Sequence, residues 1–204
     1  MSRITPYAPA ILVVLGAILS TVGIFWASVR QFNFNSRLAA QSEEIARLQK
    51  ENASLVTGGD SFCHMDFVID RSISGNDPND LSLTPIVLHK GKYPLYGVYA
   101  RIVDIDQLKK GIQQNWKSHN LGDLPPGPAS ETSIRLAHYG RHVNYNIFYA
   151  ARNGTWIQMF RMRWIDERVS TATRIIKEHD GEELYQQASP NFPRGANGEI
   201  DWDE

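Results

Sequence analysis

The stretch that decides the fold of the β-rich part of this chain is Val143-Asn-Tyr-Asn-Ile-Phe-Tyr-Ala-Ala-Arg-Asn-Gly-Thr-Trp-Ile-Gln-Met-Phe-Arg-Met-Arg-Trp-Ile165. Its dipeptide Asn153-Gly154 separates two runs that are rich in β-branched and aromatic residues. Asn-Gly in that setting is the strongest short-range signal for a β-hairpin, because a type I′ turn needs positive φ at both central residues. We therefore predict two paired strands, over 143–152 and 155–165, with a turn centred on Asn153 and Gly154.

Further strands are predicted on both sides of this hairpin. Runs of β-forming residues bounded by turn residues lie at 61–69, 85–90, 95–104, 132–138 and 169–177. A short helix capped by Asp106 is predicted over 106–116, and the proline-rich stretch 121–128 is predicted to be a loop. Short strands separated by turns indicate a mainly β protein, and an immunoglobulin-like β-sandwich is the first choice. The immunoglobulin pair of cysteines is absent, since the chain has one cysteine.

An uncharged run of 26 residues, Ile4 to Val29, precedes the β-rich region. A membrane helix needs roughly 20 apolar residues to cross a hydrocarbon core about 30 Å thick, so the run is long enough to span it. A cleaved signal peptide would have an apolar core of about 7–15 residues that ends in small residues. This run instead has the bulky pair Phe25-Trp26 near its end. We predict an uncleaved single-pass anchor in the lipid bilayer.

The basic residues that flank the run predict which side of the membrane the β-rich region occupies. Arg3 precedes the run, while Arg30 and Arg37 follow it closely. Lys and Arg near the end of a span favour the cytoplasmic side. The single cysteine, Cys63, fits a reducing compartment. We expect the soluble domain to be cytoplasmic rather than periplasmic.

A short heptad pattern follows the apolar run. With Ile45 as position a, the a and d positions are occupied, in chain order, by Leu38, Gln41, Ile45, Leu48, Asn52 and Leu55. Apolar residues at a and d form the seam of a coiled coil, and Asn at a fixes the register at some cost in stability. The pattern is shorter than the three or four heptads that establish a coiled coil by sequence alone.

The same heptad frame continues into the apolar run, where a stripe of small residues falls on positions g and d. These residues are Gly16, Ser20, Gly23 and Ala27. Small residues let membrane helices approach each other closely. Two interpretations stay open: the chain forms a homo-oligomer along this face, or the neck lies against its own domain and the small residues are incidental.

The sequence therefore divides into four parts. They are the transmembrane anchor 1–30, a helical neck 31–57, a β-sandwich domain 58–180 and a polar acidic tail 181–204. Gly58 supplies the left-handed stop at the end of the neck. The tail is predicted to be exposed and mostly disordered.

Several short stretches carry a resemblance to a known group of proteins. They are 58–63 (Gly-Gly-Asp-Ser-Phe-Cys), 93–96 (Tyr-Pro-Leu-Tyr) with 98–104, 120–127 (Asn-Leu-Gly-Asp-Leu-Pro-Pro-Gly) and 151–156 (Ala-Arg-Asn-Gly-Thr-Trp). In these stretches the chain resembles uncharacterised bacterial single-pass membrane-anchored proteins with a β-sandwich-like soluble domain. The resemblance covers residues 58 to about 178 and implies a bacterial source, which makes the cell inner membrane the expected location. It implies no activity and no functional residue.

Composition and motifs argue against several classes of function. The chain has 21 Lys and Arg against 22 Asp and Glu, so it lacks the basic footprint of a nucleic-acid binder. It contains no G-x-S-x-G elbow, no glycine-rich phosphate loop and no H-E-x-x-H motif. Cys63 and the adjacent His64 point to opposite faces of a strand, which argues against a nucleophile paired with its base. We interpret Cys63 as a small core residue, because free cysteine is commonly buried. No cofactor and no metal site is predicted.

Arg161 and Arg163 share one face of a predicted strand and are candidates for contacts with an anion. The alternative is an ordinary solvated sheet face. Three hypotheses about function follow. The first is a non-enzymatic, membrane-anchored interaction module that binds a protein partner. The second is a membrane-tethered sensor that binds a small anionic ligand through these arginines, and the third is a hydrolase whose site is assembled from distant residues.

Overall fold

The structure is a computed structural model, and it describes residues 8–70, 80–112, 118–127, 129–139, 142–165 and 168–202. The chain divides into two compact units, residues 1–52 and residues 53–204. Helix α1, Ala8–Thr57, makes up the first unit and ends inside the second. Within the described residues it is the one helix that is long and apolar enough to cross a membrane, which agrees with the predicted anchor.

Helix α1 runs for 50 residues without a break, or about 75 Å at 1.5 Å per residue. Its apolar part satisfies its own polar side chains. Ser20 and Ser28 each donate a hydrogen bond of 2.9 Å to the carbonyl oxygen four residues earlier, and Thr21 donates one of 2.8 Å to the carbonyl of Ile18. Because hydrocarbon offers no hydrogen-bond partners, polar groups within a membrane span must form their hydrogen bonds inside the protein, as these hydroxyls do.

The second unit is built from strands and one short helix, and we call it the β domain. Its described elements are β1 Phe62–Asp70, β2 Asp80–Lys90, β3 Leu95–Asp104, α2 Ile105–Lys109, β4 Ser118–Leu124, β5 Ser130–Glu131, β6 Leu136–Tyr139, β7 His142–Ala151, β8 Gly154–Ile165, β9 Arg168–Lys177 and β10 Glu183–Ala188. The prediction of a mainly β protein with an N-terminal apolar helix and one short helix is confirmed.

The strands form two antiparallel sheets. In the smaller sheet, β1 pairs with one side of β2, while β5 and β6 both pair with the other side. The larger sheet has the order β10-β9-β8-β7-β3-β4, so four consecutive strands form a meander. A constant-type immunoglobulin domain, with strands ABED and CFG, never has more than two consecutive strands side by side. The strand order therefore does not support the immunoglobulin-like part of the prediction.

The two sheets share one hydrophobic core. Trp156, Phe160 and Met162 of β8 point into it, as their alternation in the sequence indicates. They pack in one cluster with Met65 of β1 and Leu83 of β2, which come from the smaller sheet. Packing of two sheets across a common core is the arrangement of a sandwich.

The turn of the predicted hairpin lies one residue earlier than expected. Ala151 pairs with Gly154, so Arg152 and Asn153 form the turn. The Asn153 carboxamide donates hydrogen bonds to the carbonyl oxygens of Gly59, at 3.2 Å, and Ser61, at 2.6 Å. These are tertiary contacts with the segment after α1, and no local rule for Asn-Gly takes them into account.

The short helix and the proline-rich loop also differ from expectation. Helix α2 has one turn, and its cap is Asp104, whose carboxylate accepts a hydrogen bond of 3.1 Å from the Gln107 amide. Residues 113–116 of the predicted helix lie outside the described residues. Strand β4 extends to Leu124, so residues 121–124 pair with β3 instead of forming a loop.

The chain beyond Gly181, predicted to be a polar tail, contains a strand and a packed segment. Strand β10 pairs with β9, and residues 189–202, which we call the C-terminal segment, pack on the larger sheet. Phe192 and Ile200 of this segment are buried against Ala172, with Trp202 beside them. Residues 183–188 of the predicted tail thus form a strand, and three apolar side chains beyond it, Phe192, Ile200 and Trp202, pack on an apolar patch of the sheet, whereas residues 193–199 are exposed.

Candidate functional site

A cleft with a volume of about 450 Å³ lies between the two sheets. On the polar side, its walls carry Ser118, His119, Asn120, Ser130, Thr132 and Ser133. On the apolar side, they carry Val87, Leu121, Leu124 and Ile134. Pockets that hold ligands commonly have volumes of about 300–1,000 Å³, so this cleft has the size of a binding site.

The cleft runs along the edges of both sheets. Residues 118–121 of β4 all line it, although successive side chains of a strand point to opposite faces. Four successive residues can line one space when that space lies beside the strand. On the opposite wall, residues 132–134, which follow β5, are likewise consecutive. Strand β4 is the last strand of the larger sheet, and β5 lies at the border of the smaller one.

The polar groups of the cleft are partly committed to the fold. The Thr132 hydroxyl donates to the carbonyl oxygen of Pro85 at 2.9 Å and accepts a hydrogen bond from the Ile134 amide at 3.3 Å. The Asn120 carboxamide oxygen accepts a hydrogen bond of 2.8 Å from the Gly122 amide. These bonds fix the two walls and leave the Asn120 amide donors and the exposed hydroxyls of the cleft directed to solvent or a ligand.

Sequence reasoning missed these cleft residues. The stretch Ser118-His-Asn-Leu-Gly-Asp-Leu124 has no apolar alternation and contains a glycine, so it gives no strand signal. Its strand conformation comes from pairing with β3, which is a tertiary contact. A polar edge strand of this kind leaves no local pattern by which it can be recognised.

The structure places Arg161 differently from the anion hypothesis. Its side chain is 1% exposed, beneath the C-terminal segment. One terminal nitrogen donates to the Tyr145 carbonyl at 3.0 Å and to the Asn146 side-chain oxygen at 3.1 Å, and the other donates to the carbonyl of Trp202. Arg161 therefore holds the C-terminal segment on the sheet, and its donors do not reach a ligand in solvent.

Arg163 lies on the same face but is half-buried. It donates a hydrogen bond of 2.6 Å to the Asn144 side-chain oxygen and one of 3.0 Å to the carbonyl of Met162. Its guanidinium also lies 6.0 Å from the ring centre of Phe192. The structure thus brings both arginines to the C-terminal segment and gives them carbonyl and amide oxygens as partners.

The neighbouring residues Cys63 and His64 are both buried. Cys63 is fully buried in the core, as expected, and burial raises the pKa of its thiol well above the usual range. His64 stacks on Tyr185 with ring centres 5.2 Å apart, and burial, with a smaller contribution from Lys90, lowers its pKa to about 4. Among the described residues, no group of three His, Cys, Asp or Glu side chains is arranged to hold a metal ion.

The residues predicted for self-association all lie on α1. The four apolar residues of the heptad seam are between 45% and 56% exposed: Leu38, Ile45, Leu48 and Leu55. Asn52 and the small residues Gly16, Ser20, Gly23 and Ala27 are also exposed. A Cβ atom added at Gly16 or Gly23 would meet no described atom within 4 Å. Packing within this chain therefore gives no reason for glycine at either position.

Comparisons of the chain with family profiles, with curated protein sequences and with solved structures gave no match. The arrangement of the described residues is that of a membrane-length helix followed by a two-sheet β domain, with a cleft between sheet edges.

Proposed function

We propose that this protein is a non-enzymatic recognition module that is anchored in the cell inner membrane by α1 and binds a protein partner through its β domain. The β domain faces the cytoplasm in this proposal, and α1 pairs with a second copy of the chain. In this proposal each molecule contacts the lipid bilayer, a partner protein and a second copy of the chain.

The observation that carries the proposal is the exposed apolar surface of α1. Side chains along its first part are exposed to the extent of 70% at Leu12 and 67% at Phe25. A continuous apolar surface of this size on a soluble monomer would be an aggregation liability. Hydrocarbon removes that liability, and the internally bonded hydroxyls of Ser20 and Ser28 are compatible with it.

The continuity of α1 supports the pairing of two copies. The stripe of small residues and the heptad seam belong to one uninterrupted helix, so they stay in one frame. Insertion in a membrane gives every copy the same direction and therefore requires a parallel arrangement. Parallel pairs with Ile at a and Leu at d, as at Ile45 and Leu48, favour two strands, and Asn52 at a fixes their register.

The state of the reactive side chains supports recognition rather than catalysis. The thiolate is the nucleophilic form of cysteine, and the raised pKa of Cys63 keeps this thiol protonated in the core. The cleft, by contrast, presents hydroxyl and amide groups and the imidazole of His119, all suited to hydrogen bonding. The geometry thus favours binding over a reaction.

Membrane fractionation of the full chain tests the anchor. The protein is expected to stay in the membrane pellet after a wash at high salt or alkaline pH, and to need detergent for extraction. A matched variant with Val14→Lys and Leu19→Lys is expected to appear in the soluble fraction, because each lysine costs about 2.5–3.5 kcal/mol at the centre of a span. Recovery of the unchanged chain in the soluble fraction without detergent would contradict the proposal.

A reporter fused after Glu204 tests the orientation. A fluorescent protein that matures only in the cytoplasm is expected to be active, while a phosphatase that folds only after export is expected to be silent. The reverse pattern would contradict the cytoplasmic placement and leave the anchor itself intact.

A further inference from the structure

We propose that the cleft between β4 and β5 binds an extended, uncharged peptide segment of the partner protein, which adds to the larger sheet as a strand beside β4. This inference rests on the proposed function, because it names the kind of partner that the β domain takes. Strand addition to a free sheet edge is a recurring mode of peptide recognition.

The edge of β4 is the first reason. An edge strand presents unpaired backbone N–H and C=O groups, and proteins usually protect such an edge with charges, prolines or a covering segment. Residues 118–120 carry no Asp, Glu, Lys, Arg or Pro, pair with β3 in regular register and open onto a cleft, while the irregularities of the β3–β4 pairing lie beyond Asn120. The edge of β1, by contrast, has hydrogen-bond partners, because the side chains of Trp156 and Gln158 donate hydrogen bonds to its backbone carbonyl oxygens. One sheet edge is closed and another is left open.

The chemistry of the walls is the second reason. None of the ten lining residues is Asp, Glu, Lys or Arg, and His119 is the one ionisable side chain among them, so a basic side chain entering the cleft would lose water without gaining a carboxylate partner. Val87 and Leu124 are almost fully buried at its base and offer contact to apolar side chains. Ser118, Ser130 and Ser133 offer hydroxyls at its mouth. A strand whose side chains alternate between apolar and uncharged polar matches both surfaces.

The length of the wall sets the size of the occupant. Strand β4 has seven residues and spans at most about 20 Å at roughly 3.3 Å per residue, because its pairing with β3 is irregular beyond Asn120. A peptide of about six residues therefore covers the whole edge, and its regular contacts are with residues 118–120. Backbone hydrogen bonds give affinity in this mode, while the side chains that enter the cleft give selectivity.

The test uses the full chain in phospholipid nanodiscs and a defined peptide pool. The pool contains fluorescent, end-blocked hexapeptides in which Val alternates with Ser, Thr, Asn or Gln. Two control pools carry N-methyl groups on every second amide and therefore lack half of the backbone donors. One of them is methylated at the odd-numbered residues and the other at the even-numbered residues. Binding of the first pool, and its loss in one of the control pools, is the expected result, measured by fluorescence anisotropy.

Two variants locate the bound peptide. Ser133→Lys places a charge at the mouth of the cleft and is expected to weaken binding by about tenfold or more. Gln186→Lys places the same charge on exposed β10, at the opposite end of the larger sheet, and is expected to leave binding unchanged. Intrinsic tryptophan fluorescence of each variant establishes that the domain is folded.

Three outcomes would overturn the inference. They are no binding of the first pool, equal binding of the first pool and both control pools, or equal weakening by the two lysine variants. Each of these leaves the proposed function standing as long as the chain stays anchored and crosslinks to a partner through another surface. Release of the full chain from membranes without detergent would instead remove the proposed function, whatever the peptides do.

Discussion

The carboxamide of Gln158 makes two hydrogen bonds with the backbone of Met65, and it thereby takes the place of a neighbouring strand at the edge of β1. Its oxygen accepts a hydrogen bond of 2.8 Å from the Met65 amide, and its nitrogen donates one of 2.6 Å to the Met65 carbonyl. The same oxygen also accepts a hydrogen bond of 2.7 Å from the Tyr149 hydroxyl. Gln158 belongs to the larger sheet and Met65 to the smaller one, so this pair ties the two sheets together inside the core.

Replacing Gln158 by leucine should lower the free energy of unfolding of the β domain by about 3 kcal/mol or more. The change leaves the amide and carbonyl of Met65 and the Tyr149 hydroxyl buried without these partners, and each such group costs about 1–3 kcal/mol. Urea unfolding of the detergent-solubilised chain, followed by tryptophan fluorescence, measures the effect. Gln186→Leu on exposed β10 is the control and should change the midpoint little. Equal midpoints for the two variants would show that the carboxamide does not join the sheets.

Replacing Arg161 by methionine should release the C-terminal segment. Methionine keeps an unbranched apolar stem but removes the donors to Trp202 and Tyr145. Hydrogen exchange of backbone amides in residues 189–202 should accelerate by about tenfold or more, because local opening of the segment becomes easier. Exchange in β7 and β8 should change less.

The control for this prediction is Arg168→Met, which alters an exposed arginine of β9. Its exchange pattern should match that of the unchanged chain. If the C-terminal segment of the Arg161 variant exchanges no faster than that of the control, the segment is held by its other contacts, which are the packing of Phe192 and Ile200 and the hydrogen bonds of Ser189 and Asn191 with β9.

The stability of the β domain should fall as the pH falls from about 6.5 to 4. Burial lowers the pKa of His64 from 6.5 to about 4 in the fold, so between these values the unfolded chain binds more protons than the folded one. Proton linkage at His64 therefore lowers the free energy of unfolding by up to about 3 kcal/mol as the pH falls through this window. Above pH 6.5 this histidine adds no pH dependence. Burial also lowers the pKa of His89, which adds a smaller slope of the same sign.

The free energies of unfolding at pH 7.5 and pH 4.5, which bracket most of this window, check the prediction. His64→Phe keeps a ring against Tyr185 and should lose most of the slope, while His179→Phe alters an exposed histidine and should retain it. A slope that survives in His64→Phe would assign the pH dependence to other groups.

Charges on the heptad seam should abolish the pairing of α1. The double variant Ile45→Glu with Leu48→Glu places carboxylates where the two helices would meet, and burying them is costly. Chemical crosslinking of the full chain in membranes should lose its dimer band. Ala39→Glu with Ala46→Glu adds the same charge at two b positions of the heptad, away from the seam, and should keep the band. Identical species from both double variants would refute the heptad frame.

How far sequence patterns predicted the fold depends on the range of the interactions involved. The helix from Ala8 to Thr57 and the strands β3, β7, β8 and β9 follow from runs that are apolar, or alternate, over many residues. Such patterns arise from each residue and its near neighbours. Strands β4 and β10 have no such pattern, and each is held by pairing with one partner strand.

The candidate site was less predictable than the fold for the same reason. The arginines of β8 stood out in the sequence because they share a face, but their partners, such as the Trp202 carbonyl, lie about 40 residues further along the chain. The cleft joins Ser118 and Asn120 with Ser130 and Ser133, none of which carries a recognisable motif. Position in space, not residue type, makes these side chains a site.

The sequence by itself determined that an apolar helix of membrane length precedes a β-rich domain, because hydrophobicity and its period act locally and are written in consecutive residues. Tertiary structure alone decided which strands became edges, which arginine was buried and where a cleft opened. Those outcomes depend on pairing between distant segments, such as β4 with β3 and the C-terminal segment with β8, and the free energy of each pairing belongs to both partners together.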